Sequence, residues 1–365
     1  MGFQCGIVGL PNVGKSTLFN ALTESGIAAE NYPFCTIEPN VGTVAVPDSR
    51  LDVIQGIVNS QKVIPALTQF VDIAGLVAGA SQGEGLGNKF LGHIRNVQAI
   101  IHMGRVFEDD NIQHVAQKVD PLADIEVIEM ELALADCEQI AKQITRYQKN
   151  IKVGGKEAKQ AQERIESLQE MQKALEQGLL IRHLELTPQM QDCINECQFL
   201  TAKPMIYVAN IGESEPSENA QAFVSHMTEK GETVIVLCAQ LEAEIASLPH
   251  EERADFLAEM GMAQSGLDQL IQAGYKLLGL ETYFTAGPKE IRAWTIPQGS
   301  SALQAAGVIH TDFIKGFIRA EVIHFDDYEA CGGEAVAKEK GLWQLEGKDY
   351  VVNDGDVIYF RVNQS

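Results

Sequence analysis

The sequence is poor in the features that mark secreted and membrane proteins. No apolar run reaches the roughly 20 residues that a membrane-spanning helix needs, and no basic segment leads into a signal-peptide core. Its seven cysteines are odd in number and form no C-x-x-C pair, so we expect reduced thiols and no zinc site. Basic residues are scarce, and the net charge of -22 argues against general affinity for DNA or RNA. We therefore expect a cytoplasmic protein with no membrane or DNA partner, in which any RNA contact is local.

The composition is otherwise that of a globular protein. Of its 365 residues 45% are hydrophobic and 21% charged, which is ordinary for folded domains. A chain of this length predicts two or three domains, each with its own core.

A glycine-containing loop near the N-terminus is the strongest motif. An apolar run over residues 3–8 predicts a buried strand, and apolar spacing at positions 18, 19 and 22 predicts a helix. Between them Gly9–Ser16 reads G-x-x-x-x-G-K-S, a loop whose backbone N–H groups face phosphate oxygens while its lysine reaches the β- and γ-phosphates. Lysine is therefore a predicted catalytic group, and the serine hydroxyl a predicted Mg2+ ligand. The residues predicted to hold the nucleotide here are Asn12, Val13, Gly14, Lys15, Ser16 and Thr17.

Two further elements fit the same phosphate chemistry. Thr36 lies in a loop between the first helix and the next strand, where a threonine coordinates Mg2+ in P-loop switch proteins. Asp72 ends the apolar strand predicted at 67–72, and Gly75 follows it with an N–H that can sense the γ-phosphate. We expect Ser16, Thr36 and Asp72 around the metal.

The residue after this motif is informative because it is apolar. Leu76 stands where Ras-like enzymes place a water-orienting glutamine, so another residue, a potassium ion or a partner must hold the attacking water. His114, in the acidic loop after the strand predicted at 99–106, is one of few side chains able to take this role, and Asn12 is the alternative through a bound K+. Five glycines over 75–88 suit a switch that orders on nucleotide binding.

A helical segment interrupts the nucleotide domain. From Pro121 to about Arg182 the apolar spacing is helical and breaks at Gly154 and Gly155, which predicts an antiparallel hairpin of two long helices. Its tip carries seven basic residues against two acidic ones, and this local reversal of charge predicts a contact with RNA or the ribosome. The basic residues are Lys142, Arg146, Lys149, Lys152, Lys156, Lys159 and Arg164, and the acidic ones are Glu157 and Glu163.

The base-binding elements follow this insertion. A buried strand is predicted at 204–210, and it ends in Asn210-Ile211-Gly212-Glu213, where GTPases have N-K-x-D. The aspartate that reads guanine is missing, which favours adenine. After a strand at 233–237, Cys238 and Ala239 stand where GTPases place their second base-contacting loop. The return of these elements predicts one doubly wound sheet with an insertion.

With these motifs the chain resembles the Obg-related YchF family, also called Obg-like ATPases, over essentially its whole length. The resemblance rests on the segments 9–16, 31–39, 72–88, 210–213, 283–294, 310–320 and 345–356. It implies ATP hydrolysis in preference to GTP, binding to the ribosome, and a C-terminal TGS domain with a β-grasp fold. It also implies a catalytic role for His114, Mg2+ ligands at Ser16 and Thr36, and a base pocket at Asn210 and Ile211.

The sequence departs from this family near one strand. Gln98 replaces a usual aspartate, and Gly104 and Val106 alter the familiar segment before the His114 loop. A glycine inside a strand weakens it, so we expect an effect on rate more than on the reaction.

The predicted fold class is therefore α/β: a doubly wound P-loop G domain, an inserted antiparallel helical hairpin and a C-terminal α+β domain of β-grasp (TGS) type. The predicted boundaries are 1–120 with 199–280, 121–198, and 281–365. In the C-terminal part alternating strands are expected at 291–296, 317–322 and 357–362.

The predicted function is a monomeric, Mg2+-dependent ATPase switch that meets the 50S subunit or the 70S ribosome, and its rRNA, through the hairpin and the TGS domain. Two alternatives stay open: a GTP-specific GTPase, and a binding protein with negligible turnover that nucleotide merely gates. A nucleotide kinase is least favoured because no acceptor-binding or arginine-rich lid segment is visible.

Overall fold

The computed structural model describes residues 3–25, 40–73, 86–108, 119–151, 155–213 and 217–363. Within these ranges the strands, in chain order, are β1 (Gln4–Val8), β2 (Val41–Ala45), β3 (Val63–Ile64), β4 (Leu67–Asp72), β5 (Ala99–Arg105), β6 (Met205–Asn210), β7 (Thr233–Leu237), β8 (Leu280–Ala286), β9 (Ile291–Pro297), β10 (Phe317–His324), β11 (Gln344–Glu346) and β12 (Asp356–Val362).

The helices of the same ranges alternate with these strands in the first part of the chain. They are α1 (Lys15–Ser25), α2 (Arg50–Val58), α3 (Leu86–Asn96), α4 (Pro121–Ile151), α5 (Gly155–Glu176), α6 (Pro188–Cys197), α7 (Glu218–Glu229), α8 (Ala239–Ser247), α9 (His250–Glu259), α10 (Gly266–Leu277), α11 (Ala302–Ile309), α12 (Thr311–Gly316), α13 (Phe325–Cys331) and α14 (Glu334–Glu339). Among the described helices, none is both long and apolar enough to cross a membrane.

The chain divides into two compact units. One unit comprises Met1–Ser25, Ala29–Gly42 and Gln69–Leu267, and the other Gly26–Ala28, Thr43–Thr68 and Asp268–Ser365. The boundaries that we placed at residues 120, 199 and 281 from the sequence stay predictions.

The first unit is built on a six-stranded sheet with the order β2-β4-β1-β5-β6-β7. β4 and β5 pair with β1 in parallel from its two sides, and β6 and β7 continue the parallel sheet. Every residue of β5 and β6 is buried, as parallel strands covered on both faces require. Because the strand order reverses at β1, a crevice opens at the carboxyl ends of β1 and β5. The predicted doubly wound sheet is confirmed.

The segment after the loop forms helix α1, because its apolar residues are spaced to lie on one buried face. Leu18, Ala21 and Leu22 are fully buried, at positions i, i+3 and i+4. The N–H of Leu18 donates to the carbonyl of Gly14 over 2.9 Å, which makes Gly14 the last residue of the loop before the helix.

The inserted helices form their own core. Side chains of α4, α5 and α6 share one buried cluster that includes Tyr147, Leu168 and Cys193. The predicted helical stretch ending near Arg182 was too long: α5 ends at Glu176, and Gly178 follows with a φ of 78°. This left-handed residue stops the helix, and apolar spacing alone did not mark the stop.

The middle of α4 is joined to the segment before β6 by a buried carboxylate. Asp136 accepts hydrogen bonds from the backbone N–H groups of Leu200 (2.9 Å) and Thr201 (2.8 Å) and from the Thr201 hydroxyl (2.7 Å). Burial raises the pKa of Asp136, and the two backbone donors oppose that rise. The three bonds fix where the insertion returns to the sheet.

The second unit contains a mixed six-stranded sheet with the order β11-β10-β12-β8-β9-β3. The pairs β10–β11, β10–β12 and β8–β9 are antiparallel, whereas β12–β8 and β3–β9 are parallel. The alanine face of α11 packs into the core of this sheet together with Tyr283 and Ile358. A capping box between Ser301 and Gln304 begins that helix.

Residues from early in the chain complete this second unit. β3 supplies one edge strand, and Arg50 of α2 donates to the carboxylates of Asp48 and Asp354, each over 2.7 Å. The Arg50 guanidinium also lies 5.0 Å from the centre of the Phe284 ring. Residues 50–64, from α2 to β3, are therefore part of this unit's sheet and core, whereas the flanking strands β2 and β4 belong to the first sheet.

Candidate nucleotide-binding site

The loop between β1 and α1 is shaped by close approach and by unusual backbone angles. A Cβ on Gly9 would lie 2.7 Å from the carbonyl oxygen of Met103 in β5. Asn12 and Gly14 have positive φ angles, 63° and 101°. Positive φ turns successive N–H groups toward one side of a loop, which is the geometry that receives phosphate oxygens at a helix N-terminus.

Lys15 is the buried cation of this loop. Its side chain is 8% exposed, and its ammonium donates to the carbonyl of Leu10 over 2.7 Å. Burial lowers the pKa of Lys15, and the negative charge of Asp72 opposes this shift. The bond to the loop's own backbone holds the ammonium at the N-terminus of α1, where the phosphates of a nucleotide are expected to bind.

Ser16 and Asp72 lie close together although they are 56 positions apart in the chain. Burial raises the pKa of Asp72, at the carboxyl end of β4, and the positive charge of Lys15 and the nearby Ser16 hydroxyl oppose that rise. Within the described ranges, the buried Oδ1 of Asp72 has no hydrogen-bond partner. Mg2+ prefers oxygen ligands, so the Ser16 hydroxyl and the Asp72 carboxylate, with its unpaired Oδ1, can bind the ion directly or through water.

Asn210 connects the phosphate loop to the elements predicted to face the base. Its side-chain amide donates to the carbonyl of Val13 over 2.9 Å, and its side-chain oxygen accepts from the N–H of Ala239 over 2.9 Å. The side chain is 3% exposed. A Cβ on Gly14 would lie 2.4 Å from the Asn210 amide nitrogen, so Gly14 is required by this clamp as well as by its φ.

The ends of β6 and β7 place the remaining base-side residues. The N–H of Ile211 donates to the carbonyl of Leu237 over 2.9 Å, and buried Cys238 precedes the first turn of α8, which begins at Ala239. One turn later Glu242 accepts from the N–H of Gly266, so α8 and the start of α10 are fixed together. These contacts bring Asn210, Ile211, Cys238 and Ala239 to one edge of the sheet.

Several predicted site residues lie outside the described residues. They are Thr36, Gly75 and His114, together with Leu76 and the glycines at 79, 83 and 85. Of those described, Asn12, Val13 and Gly14 lie in the loop. Lys15, Ser16 and Thr17 form the first turn of α1, with the last two exposed. The sequence did not predict the role of Met103, whose backbone oxygen leaves no room for a side chain at position 9. The one available clue was that β5 neighbours β1 in a sheet of this kind.

Comparisons with known proteins agree with this architecture. Residues 4–136 match a family model described as "50S ribosome-binding GTPase", and residues 280–363 match the model YchF-GTPase_C, described as "Protein of unknown function (DUF933)". The chain is 55% identical to the "Ribosome-binding ATPase YchF" of Haemophilus ducreyi and 53% identical to that of Bacillus subtilis, with 100% of each chain covered.

The chain belongs to the YchF family. A solved structure of the YchF GTPase of Schizosaccharomyces pombe has 36% identity and a TM-score of 0.90, covering 99% of this chain and 98% of that one. A GTP binding protein from Pyrococcus horikoshii, at 18% identity and a TM-score of 0.61, shows the fold alone. The predicted family, and the predicted P-loop domain with a further C-terminal domain, are confirmed.

The basic hairpin of this YchF protein is more neutral than its sequence indicates. Glu196, on α6, forms ion pairs with Arg146 (3.5 Å) and Arg164, and the Tyr147 hydroxyl donates to the same carboxylate over 2.9 Å. Counting charges on α4 and α5 alone left out this carboxylate, because α6 follows the hairpin in the chain. Lys142 and Lys159 remain largely exposed, at 78% and 82%.

Proposed function

We propose that this chain is a ribosome-binding, Mg2+-dependent ATPase that switches conformation with its nucleotide. The observation that carries the proposal is the convergence of the Lys15 ammonium, the Ser16 hydroxyl and the unpaired Asp72 oxygen at the N-terminus of α1. The relatives named "Ribosome-binding ATPase YchF" support both the nucleotide and the partner.

The proposed reaction is hydrolysis of the β–γ phosphoanhydride by in-line attack of water. Lys15 and the N–H groups of the Gly9–Gly14 loop stabilise the charge that develops on the γ-phosphate oxygens. Ser16, Thr36 and Asp72 would hold Mg2+, directly or through water, and the ion would neutralise phosphate charge. His114 positions the water, and a K+ ion held with the help of Asn12 is the alternative aid.

ATP is the proposed nucleotide because the guanine-reading aspartate is replaced. Glu213 stands at that position, and Ile211 replaces the usual lysine. Asn210 uses both of its polar side-chain atoms on backbone groups, so base recognition falls to its neighbours Ile211, Cys238 and Ala239.

A GTPase is the second candidate, since the matched family model and the S. pombe relative carry that name. Separate titrations of the pure protein with fluorescent ATP and GTP analogues distinguish the two, and we expect tighter binding of the ATP analogue. Tighter GTP binding would contradict the proposed base assignment.

Turnover tests the enzyme against a merely gated binding protein. We expect phosphate release from ATP, measured with and without ribosomes, and a slower rate with unchanged nucleotide affinity for His114→Ala. The half-buried His226 on α7 provides a matched control, His226→Ala, which should keep the parent rate. Unchanged turnover in His114→Ala would remove the histidine from the mechanism.

The ribosome, including its rRNA, is the proposed partner, reached through α4, α5 and the C-terminal unit by a cytoplasmic monomer. Co-sedimentation with 50S subunits and 70S particles in the presence of ATP or ADP tests this part separately from hydrolysis.

A further inference from the structure

One face of the second unit's sheet carries an ordered cluster of cationic and aromatic side chains. Leu345 of β11 and Tyr359 of β12 lie directly opposite Glu321 of β10, one on each side. Arg319 and Arg361, two residues further along their strands, are also paired with each other across β10 and β12. Because side chains two residues apart share a face, all five project from one side of the sheet.

Glu321 holds both arginines in place. Arg361 donates to its two oxygens from Nε (2.9 Å) and Nη2 (3.1 Å), and Arg319 donates to one of them over 3.3 Å. Glu321 is only 5% exposed, and its bonds to Arg361 lower its pKa. A carboxylate that is buried and paired twice orders long side chains that would otherwise lose rotamer freedom on binding a ligand.

The groups around this buried carboxylate remain accessible. Arg319 and Arg361 are 49% and 45% exposed, Tyr359 is 50% exposed and Leu345 is 63% exposed. The Arg361 guanidinium lies 4.3 Å from the centre of the Tyr359 ring, and this stack holds the phenol in a fixed orientation. We call these four exposed side chains, with Glu321 beneath them, the β10–β12 face.

The composition of the face fits one kind of partner. Arg319, Arg361 and Lys338 against Glu321 and Glu334 leave a local charge of +1 in a chain whose net charge is -22. Planar guanidinium groups match phosphate oxygens. A half-exposed aromatic ring on a sheet surface is a stacking platform for an unpaired base.

We propose that the β10–β12 face binds single-stranded RNA, with Arg319 and Arg361 on the phosphates and a base stacked on Tyr359. On the proposed function, which this inference extends, that RNA is an unpaired segment of rRNA. None of its residues belongs to the nucleotide site, so the variants are expected to hydrolyse ATP at the parent rate.

The test uses the full chain and a short, fluorescently labelled single-stranded RNA, followed by anisotropy at several salt concentrations. The variant Arg319→Gln/Glu321→Gln/Arg361→Gln removes the cations without leaving a buried carboxylate unpaired. Its control, Lys62→Gln/Lys289→Gln, removes more net positive charge from exposed positions at the opposite, β3–β9 edge of the same sheet. We expect the triple variant alone to lower the salt slope, by about 1.4 for two lost phosphate contacts.

Tyr359→Ala supplies an independent measurement, because it leaves all charges in place. We expect it to weaken RNA binding about tenfold through the lost base stack. Equal RNA affinity of parent, triple variant and Tyr359→Ala would refute the proposal, and so would a loss in the control as large as in the triple variant.

Co-sedimentation with ribosomes separates this inference from the proposed function. If the parent protein does not bind ribosomes, the proposed partner fails whatever the RNA titration gives. If the variants lose ribosome binding while RNA affinity is unchanged, the face contacts a ribosomal protein and the RNA assignment is wrong.

Discussion

Replacing Asn210 tests the clamp that joins the phosphate loop to the base-side loop. In Asn210→Ala the carbonyl of Val13 and the N–H of Ala239 lose the partners that they hold at 2.9 Å. Both residues are buried, at 0% and 2% exposure, so neither group gains full access to water.

The expected loss follows from these two orphaned groups. A buried backbone group left without a partner costs about 1–3 kcal/mol, so the free energy of unfolding should fall by about 3 kcal/mol. In a unit of this size that corresponds to a decrease in Tm of about 6–12 °C. Asn210→Asp should cost at least as much, because a carboxylate oxygen would face the Val13 carbonyl in place of the amide donor.

The measurement is urea and thermal unfolding of the full protein, with fluorescent-nucleotide titration alongside. Asn195→Ala is the matched control, since it removes one exposed hydrogen bond to Gln191 on α6 and should change stability by no more than about 0.5 kcal/mol. An Asn210→Ala midpoint equal to that of the control, or an Asn210→Asp protein as stable as the parent, would refute the clamp.

Three further predictions concern single positions. In the folded protein the pKa of Lys15 lies below its ordinary value of 10.5, so between the two values the unfolded chain binds more protons and the contribution of Lys15 to stability rises with pH. Lys15→Met should therefore increase the free energy of unfolding, measured in urea, most near pH 7 and progressively less toward pH 10. Gly104→Ala should raise the free energy of unfolding by about 0.5–1 kcal/mol, because the new methyl group meets its nearest atoms at 3.7 Å or more. Gly9→Ala should lower it, because its methyl group would lie 2.7 Å from the carbonyl oxygen of Met103. The opposite ranking in thermal unfolding would contradict this packing. Asp136→Ala should cost about 3 kcal/mol or more in chemical unfolding, because it unpairs the N–H and hydroxyl of Thr201 and the N–H of Leu200. A loss under about 1 kcal/mol would show that these donors find other partners.

Local patterns predicted the parts of the fold that local interactions determine. β1, the phosphate loop and α1 follow one another within about 25 residues, and apolar spacing with two glycines was enough to place them. Strands β4 and β7 were placed with the bounds that the structure gives, Leu67–Asp72 and Thr233–Leu237. Both strands are rich in β-branched and aromatic residues and are followed by turn or loop residues, a pattern that predicts strands well.

Contacts between distant segments were not predictable in the same way. The Asn210–Val13 bond spans 197 positions, and nothing in the local sequence shows that both polar atoms of the Asn210 side chain hydrogen-bond to backbone groups. Likewise, the charge of the hairpin depends on Glu196, which α6 brings back to α4 and α5. The two-residue strand β3 was missed because its pairing with β9, rather than its own composition, makes it a strand.

The contribution of residues 50–64 to the second unit limits how this protein can be divided. A fragment beginning at residue 281 would lack β3, which pairs with β9, and Arg50, which binds Asp354. The backbone groups of β9 that β3 now pairs would become an open sheet edge, a template for aggregation when the fragment is expressed alone. For the same reason, replacing only the C-terminal part of the chain does not replace the whole unit. An exchange of this unit between relatives has to include the early segment as well as the C-terminal one.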